Sequence, residues 1–246
     1  MKTSTSKYLL LFLVTATLHV KSLSQKLVSD SGLPAAFRNA VALYNSSFAT
    51  QLHVFNGKEY PGYRKRFTVG HPYFEVDSLI RGSVNFEGSN YDSTTMQYNL
   101  ATDQLIILSP DGLTKMQLGK EKVLHFSILG HSFIHIQRDS LLSTDLAPGF
   151  YEVLSVGKIS LFAKRIKTIE EDLKQVIELK VYARNKYYLK KANEYILINS
   201  KKAFLKEFAD QRKAVDQYIR QNKFNYRKKR EDYLLKVVNY YNTITR

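Results

Sequence analysis

The residues best suited to metal binding or acid–base chemistry are five histidines that follow the first two dozen residues. They are His53, His71, His125, His131 and His135. The densest group lies in HFSILGHSFIH, where His131 and His135 are four residues apart. On a helix this spacing would place both imidazoles on one face, as a zinc site requires. Whether metal binding is expected therefore depends on whether the segment is a helix or a strand.

The local sequence favours a strand for this histidine group. Gly130 and its β-branched and aromatic neighbours are typical of a hairpin, and residues four apart on a strand are separated by about 13 Å. With a two-residue loop at Leu129 and Gly130, the predicted pairs are Ile128 with His131, Phe126 with Phe133 and Leu124 with His135, and His125 faces the opposite side. A slip of one residue would exchange the faces. The sequence therefore predicts no metal site and no cofactor.

Two histidines remain candidates for a general base. His71 lies in GHPYF with Glu75 and Asp77 nearby, although a histidine before proline is typical of a turn. His131 lies in GHSFI, which departs from the nucleophile-elbow pattern because Ile134 stands where that pattern has glycine. The sequence shows no phosphate-binding loop, no dinucleotide fingerprint and no obvious carboxylate pair. The alternative hypothesis is thus a periplasmic hydrolase that uses His71 or His131 as its base.

Cations are concentrated in the last third of the chain. Of the net charge of +15, residues 158–246 carry +13, from 23 lysines and arginines against 10 acids. The stretch YRKKREDYLLKVVNYYN contains four consecutive cations. This asymmetry indicates a surface for a polyanion or an anionic membrane face, unless the lysines serve only solubility.

We predict that the contact region lies just before the last helix. Its residues are Phe224, Tyr226, Arg227, Lys228, Lys229 and Arg230. Glu231 and Asp232 suit a first helical turn, so most of the cations precede the helix instead of opposing its dipole. The following tyrosines share the apolar stripe of the helix, which indicates packing and not base stacking. The pattern argues against nucleic acid as the partner.

The elements that must position these residues form three blocks. Residues 25–50 are predicted to hold an amphipathic helix at about 34–48. Residues 51–199 show short β-type runs with turn signals roughly every ten residues, which predicts an antiparallel meander. Residues 200–246 are predicted to be helical and to begin at an N-cap, Ser200. The fold class is therefore α+β: an antiparallel β-meander, as a sandwich or open barrel, with an N-terminal helix and a C-terminal helical hairpin.

Three details of these blocks stay open in the sequence. The acid-rich segment Thr168–Glu178 fits either a short helix or part of a long loop. Residues 201–222 fit one helix or two, and Asp210 is a candidate cap for a second start. The stripe of the last helix is predicted to comprise Leu234, Val237, Val238, Tyr241 and Ile244.

The first residues, MKTSTSKYLLLFLVTATLHVKSLSQ, have the layout of a secretory signal peptide. Cationic Lys2 and Lys7 precede an apolar run, and small residues stand before a cleavage point between Ser24 and Gln25. The run of a dozen residues spans about 18 Å as a helix, too short to cross a bilayer. We therefore expect residues 1–24 to be removed and the mature chain, which has no transmembrane span, to be periplasmic or extracellular.

Several strings together resemble a recurring exported protein type of Bacteroidota-like bacteria. They are FNGKEY, GHPYF, YNLATDQLIIL, KEKVLHFSI, GFYEVL and KKREDYLLKVVNYYN. The resemblance covers most of the mature chain and implies export and a single architecture. It implies no activity and no site residues.

The function expected from the sequence is binding without catalysis. The hypothesis is an exported cell-envelope binding or structural module whose basic C-terminal face meets an anionic lipid headgroup, a glycan or an acidic protein. The sequence does not indicate an oligomeric state.

Overall fold

The computed structural model describes residues 53–137, 146–173, 177–192 and 194–245. The predicted signal peptide, its cleavage point and the predicted helix at 34–48 lie outside the described residues. All of the described residues belong to one unit of the chain, Phe48–Arg246.

Among the regular elements of the described chain, most residues lie in β-strands, and three helices follow the strands. The strands are β1 (Lys58–Glu59), β2 (Phe67–Val69), β3 (Ile80–Phe86), β4 (Ser89–Asn99), β5 (Gln104–Leu108), β6 (Lys115–Gln117), β7 (Val123–Ile128), β8 (His131–Ile136), β9 (Gly149–Ser155), β10 (Ile159–Leu173), β11 (Ile177–Lys191) and β12 (Glu194–Leu197). The helices are α1 (Lys201–Lys206), α2 (Arg212–Gln221) and α3 (Arg230–Ile244). The α+β prediction is confirmed for this part of the chain.

The strands form a single open sheet in the order β1-β6-β5-β4-β3-β7-β8-β9-β10-β11-β12. Neighbours in this order are antiparallel, and β2 adds a parallel pairing with β11. From β3, one run of hairpins leads through β4, β5 and β6 to one side, and β7 to β12 lead to the other. This is the predicted meander, because eight of the eleven connections between successive strands join strands that are adjacent in space.

The hairpin between β7 and β8 has the predicted register. Leu129 and Gly130 both have positive φ, +53° and +78°, as a type I′ turn requires. Ile128 pairs with His131 and Phe126 pairs with Phe133. The histidines are thereby fixed on a strand, where their spacing cannot hold one metal ion.

The described residues of Thr168–Glu178, which are 168–173 and 177–178, are strand and neither helix nor loop, so both alternatives are wrong for them. Its described residues extend β10 and begin β11, and Glu170 lies opposite Lys180 while Ile169 lies opposite Val181. Cross-strand pairs of opposite charge and of β-branched residues stabilise a strand whose acidic residues have low β-propensity.

Two hydrophobic cores lie along the sheet. The first lies among β3 to β9 and is dominated by rings, with Tyr98 5.1 Å from both Phe126 and Phe133 between ring centroids. The second joins β10 and β11 to the helices through Leu161, Leu189 and other buried residues. A smaller cluster that includes Tyr151, Phe162 and Tyr188 forms a third buried group.

The helical segment follows the predicted pattern with two corrections. The Ser200 hydroxyl accepts a hydrogen bond from the backbone N–H of Ala203 at 3.1 Å, so the predicted N-cap is confirmed. Residues 201–222 form two helices with a 3₁₀ turn between them. Asp210 lies in that turn and accepts a hydrogen bond from the Tyr241 hydroxyl, 2.9 Å away, instead of capping α2. Ile244, placed on the buried stripe, is 38% exposed because the helix ends there.

The rest of the predicted stripe is buried: Leu234, Val237, Val238 and Tyr241. Among the described residues, no helix is both long and apolar enough to cross a membrane.

Candidate functional site

The predicted contact residues occupy the connection between α2 and α3. Its centre is Asn225, whose side-chain oxygen accepts hydrogen bonds from the backbone N–H groups of Arg227 at 3.0 Å and Lys228 at 3.1 Å. An asparagine that bonds its own downstream backbone builds a turn. The turn leaves the side chains of Arg227, Lys228 and Lys229 exposed.

The two aromatic residues of the predicted site anchor this turn to the helices. Phe224 meets Tyr218 edge to face with 5.4 Å between ring centroids, and Tyr226 meets Tyr233 in the same way at 5.4 Å. Both are partly buried against the helical core. They hold the exposed cations in place and present only part of their rings to solvent.

Arg230, the last of the predicted contact residues, differs from the other cations of the run in the contacts it makes. Its Nη2 donates to the carbonyl of Ile198 at 2.5 Å, and its guanidinium lies over the rings of Tyr187, at 5.2 Å, and Tyr226, at 5.5 Å. Arg230 is the first residue of α3, and its side chain points back onto the end of β12. Its hydrogen bond and ring contacts are made within the fold, and the residue is half-buried.

A groove with a volume of about 700 Å³ opens beside this turn. It is lined by Asn199, Ser200, Lys201, Lys202, Phe224, Asn225, Tyr226 and Arg227. We call it the basic groove, because three of its lining residues, Lys201, Lys202 and Arg227, are cations and no described lining residue is an acid. Lys201 also lies over the ring of Tyr233, with its Nζ 5.5 Å from the centroid.

Three acids of the helical segment are paired with cations outside the basic groove. Asp216 pairs with Arg212 at 2.7 Å, Asp232 pairs with Lys236 at 3.0 Å, and Glu231 is held by a residue of β10. The three groove cations make no ion pair with any described residue. Their charges are therefore available to an anionic ligand.

A second groove, of about 600 Å³, continues from the first and shares Ser200 and Lys202 with it. Its other lining residues are Ala203, Leu205, Lys206, Ala209 and Arg212. Small and aliphatic groups form its surface, and lysine and arginine stems form its rim. We call it the apolar groove. The shared residues place a cationic surface and an apolar surface side by side.

His131, one of the two candidate bases, belongs to a separate ionic network. Its Nδ1 lies 2.5 Å from Glu152, whose other oxygen accepts a hydrogen bond from Arg165 Nε at 2.5 Å. Arg165 also donates to Glu231 from Nη2 at 3.0 Å, and the Tyr187 hydroxyl donates to Glu231 at 2.9 Å. The network links β8, β9, β10, β11 and α3.

Charge compensation shapes the pKa values within this network. Burial by itself would raise the pKa of Glu231, but the hydrogen bonds and the charge of Arg165 hold that pKa below its ordinary value. Burial would also lower the pKa of Arg165, yet its bonds to Glu231 and Glu152 raise it. Both shifts favour the charged forms of Glu231 and Arg165, which serve as a structural ion pair.

His71, the other candidate base, packs beside Tyr73, with 6.3 Å between ring centroids and an interplanar angle of 24°. Burial lowers the pKa of His71, and the nearby charge of Lys167 lowers it further. The Lys167 ammonium donates to the backbone carbonyls of His71 at 2.9 Å and Tyr73 at 2.5 Å. This segment is held as a turn.

Neither histidine has a serine or aspartate within hydrogen-bond distance among the described residues. The carboxylate that orients His131 is already shared with Arg165. The hydrolase alternative therefore stays a prediction without further support. Within the same part of the chain, no group of three or more His, Cys, Asp or Glu side chains could hold a metal ion.

Comparison of the chain with known protein families, with curated proteins and with solved structures found no match in any of the three.

The sequence indicates one side of the basic groove and not the other. Arg227, Tyr226 and Phe224 were predicted, whereas Lys201 and Lys202 lie about two dozen residues earlier in the chain. The only signal for them was a lysine pair directly after an N-cap serine. Nothing in the sequence indicated that the start of α1 and the α2–α3 turn would line one groove.

Proposed function

We propose that this protein is an exported, non-catalytic cell-envelope module that binds an anionic lipid headgroup in the basic groove. The observation that carries the proposal is the convergence of Lys201, Lys202 and Arg227 on one concave surface without an acid among its described lining residues. Cations near an anionic bilayer surface contribute about 1 kcal/mol each. Export rests on the signal-peptide layout of residues 1–24.

The apolar groove favours a lipid over a glycan or an acidic protein. A phosphate held by Lys202 in the basic groove would place the attached hydrocarbon beside Ala203, Leu205 and Ala209. A glycan or an acidic peptide would leave this apolar surface uncovered. Charge and apolar area together are what peripheral membrane binding requires.

Vesicle binding tests the proposal. The mature chain is titrated with phosphatidylcholine vesicles that contain or lack phosphatidylglycerol, and binding is measured by co-sedimentation. We expect binding only with the anionic lipid. Replacing the three groove cations by glutamine (Lys201→Gln, Lys202→Gln, Arg227→Gln) is expected to weaken it on the order of 100-fold, since about 3 kcal/mol is removed.

A matched triple variant shows whether vesicle binding depends on the groove cations or only on the total positive charge of the chain. Arg184→Gln, Lys186→Gln and Lys213→Gln together remove the same charge from exposed positions outside the groove. This control is expected to keep most of the affinity. Equal loss in both triple variants would contradict a groove, and binding to soluble polyanionic glycan or to an acidic protein but not to vesicles would contradict the lipid.

A further inference from the structure

A polar cleft of about 520 Å³ lies at the other end of the sheet. It is lined by His53, Asn56, Gly57, Lys58, Phe86, Glu87, Gln104, Gln117, Leu118, Gly119, Glu121 and Lys122. These residues come from β1, from the ends of β3, β5 and β6, and from two 3₁₀ turns. None of them lines the basic groove or the apolar groove.

The distinctive feature of the cleft is three amide side chains that have no side-chain hydrogen bond within the described part of the chain. Asn56, Gln104 and Gln117 make no side-chain hydrogen bond to any described residue. Gln104 and Gln117 are half-buried as residues, and their amide groups are open to the cleft. An amide carries two donors and an acceptor, so each can exchange its water for a polar ligand group. The cleft thus offers donors and acceptors in one place.

The charges of the cleft balance. Glu87 pairs with Lys122 at 2.7 Å and lies 3.5 Å from His53. These contacts connect the two 3₁₀ turns that line the cleft. Glu121 and Lys58 add one charge of each sign. A strongly charged ligand gains no net attraction here, in contrast to the basic groove.

Apolar atoms form the base of the cleft. Phe86 and Leu118 are buried there, 5% and 1% exposed. Gly57 and Gly119 line the wall, and an added Cβ at Gly57 would lie 2.7 Å from the carbonyl oxygen of Gln117. Glycine at this position therefore allows the close approach of the chain segments that shape the cleft.

We propose that this cleft binds a neutral saccharide. Sugar hydroxyl groups both donate and accept hydrogen bonds, as the three amides do, and the C–H faces of a sugar ring suit a base of buried apolar side chains. The volume is within the range of small-molecule sites and accommodates one or two sugar rings. The proposal is independent of lipid binding in the basic groove.

The test uses the mature chain and a panel of glucose, galactose, mannose, N-acetylglucosamine and their common disaccharides. Binding is measured by saturation-transfer NMR and by calorimetry. We expect at least one neutral saccharide to bind with an affinity that does not change with salt. Gln104→Ala with Gln117→Ala is expected to weaken it by about tenfold or more, as loss of two polar contacts implies.

Gln217→Ala with Gln221→Ala is the matched control, because both are exposed glutamines of α2 outside the cleft. It is expected to leave binding unchanged. The side-chain amide resonances of Gln104 and Gln117 are expected to shift with the saccharide in the unmutated chain, a readout that does not depend on the variants folding. Absence of binding across the panel, unshifted amide resonances, or a preference for anionic sugars that weakens with salt would each overturn the proposal.

Discussion

Two groups of cations in this chain meet opposite surroundings. Lys164 and Arg165 of β10 are buried, and each lies against a carboxylate: Asp103 at 2.8 Å and Glu152 at 2.5 Å. Lys201, Lys202 and Arg227 are exposed and have no anionic partner among the described residues. Lysine and arginine thus form buried ion pairs in one region and an exposed, positively charged surface in the other.

The difference follows from the cost of desolvation. A buried cation is stable only when it is paired and hydrogen-bonded. Its charge and its donors are then already satisfied by partners within the protein. An exposed cation remains hydrated and can exchange water for a ligand. Net charge alone does not distinguish the two cases, whereas burial and partners do.

The largest expected effect is the loss of stability when a cation of the buried ion pairs is removed. Arg165→Met leaves Glu152 buried, with only His131 as a partner, and removes the cation that pairs with Glu231. We expect a loss of about 3–5 kcal/mol in the free energy of unfolding. Urea denaturation followed by circular dichroism measures it. Lys186→Met, an exposed cation of β11, is the control and is expected to change stability by less than about 0.5 kcal/mol. A similar small change for Arg165→Met would mean that the network does not hold the sheet to α3.

A smaller effect is expected from Arg230, a packed cation that lies only three residues after the exposed Arg227. Arg230→Gln removes a hydrogen bond to Ile198 and two ring contacts, so we expect a loss of about 1–2 kcal/mol in the free energy of unfolding. Arg227→Gln, three residues earlier, is expected to leave stability unchanged and to weaken vesicle binding instead. Paired denaturation and co-sedimentation measurements separate the two residues. If both variants behaved alike, the division of the run into packed and exposed cations would be wrong.

The smallest expected effect concerns pH. The pKa of Glu231 is lowered in the folded chain, so its contribution to stability is present above its ordinary pKa and is lost as pH falls through the lowered value. We expect the stability difference between the unmutated chain and Glu231→Gln to be on the order of 1 kcal/mol at pH 7, since Glu231 is partly exposed. It should shrink as pH falls below about 4.5. Urea unfolding at pH 7, 5 and 3 measures it, and a difference independent of pH would exclude the ionised pair.

Local chemistry was enough to predict several elements of the fold. The turn at Leu129–Gly130 and its flanking alternation specify a register, because a slip would reverse the faces of β8. Ser200 begins a helix because its hydroxyl satisfies a free backbone N–H group. Such features depend on a few neighbouring residues, all visible in the sequence.

Other features depend on contacts between distant segments and could not be predicted. The continuation of β10 through Glu170 depends on its partner strand, since acidic residues by themselves disfavour strands. Arg227 and Arg230 look equivalent in the sequence, and only the turn built by Asn225 directs one outward while α3 directs the other inward. The basic groove itself required α1 and the α2–α3 turn to lie side by side.

We propose above that the cations of the basic groove bind an anionic lipid headgroup. The salt dependence of Kd for vesicles that contain phosphatidylglycerol tests this proposal most directly. Salt screens exposed charges, so we expect affinity to fall steadily as ionic strength rises from about 0.01 M to 1 M. The variant with glutamine at positions 201, 202 and 227 is expected to show almost no dependence, and the matched control is expected to keep it. An affinity indifferent to ionic strength, or an undiminished dependence in the groove variant, would contradict the claim.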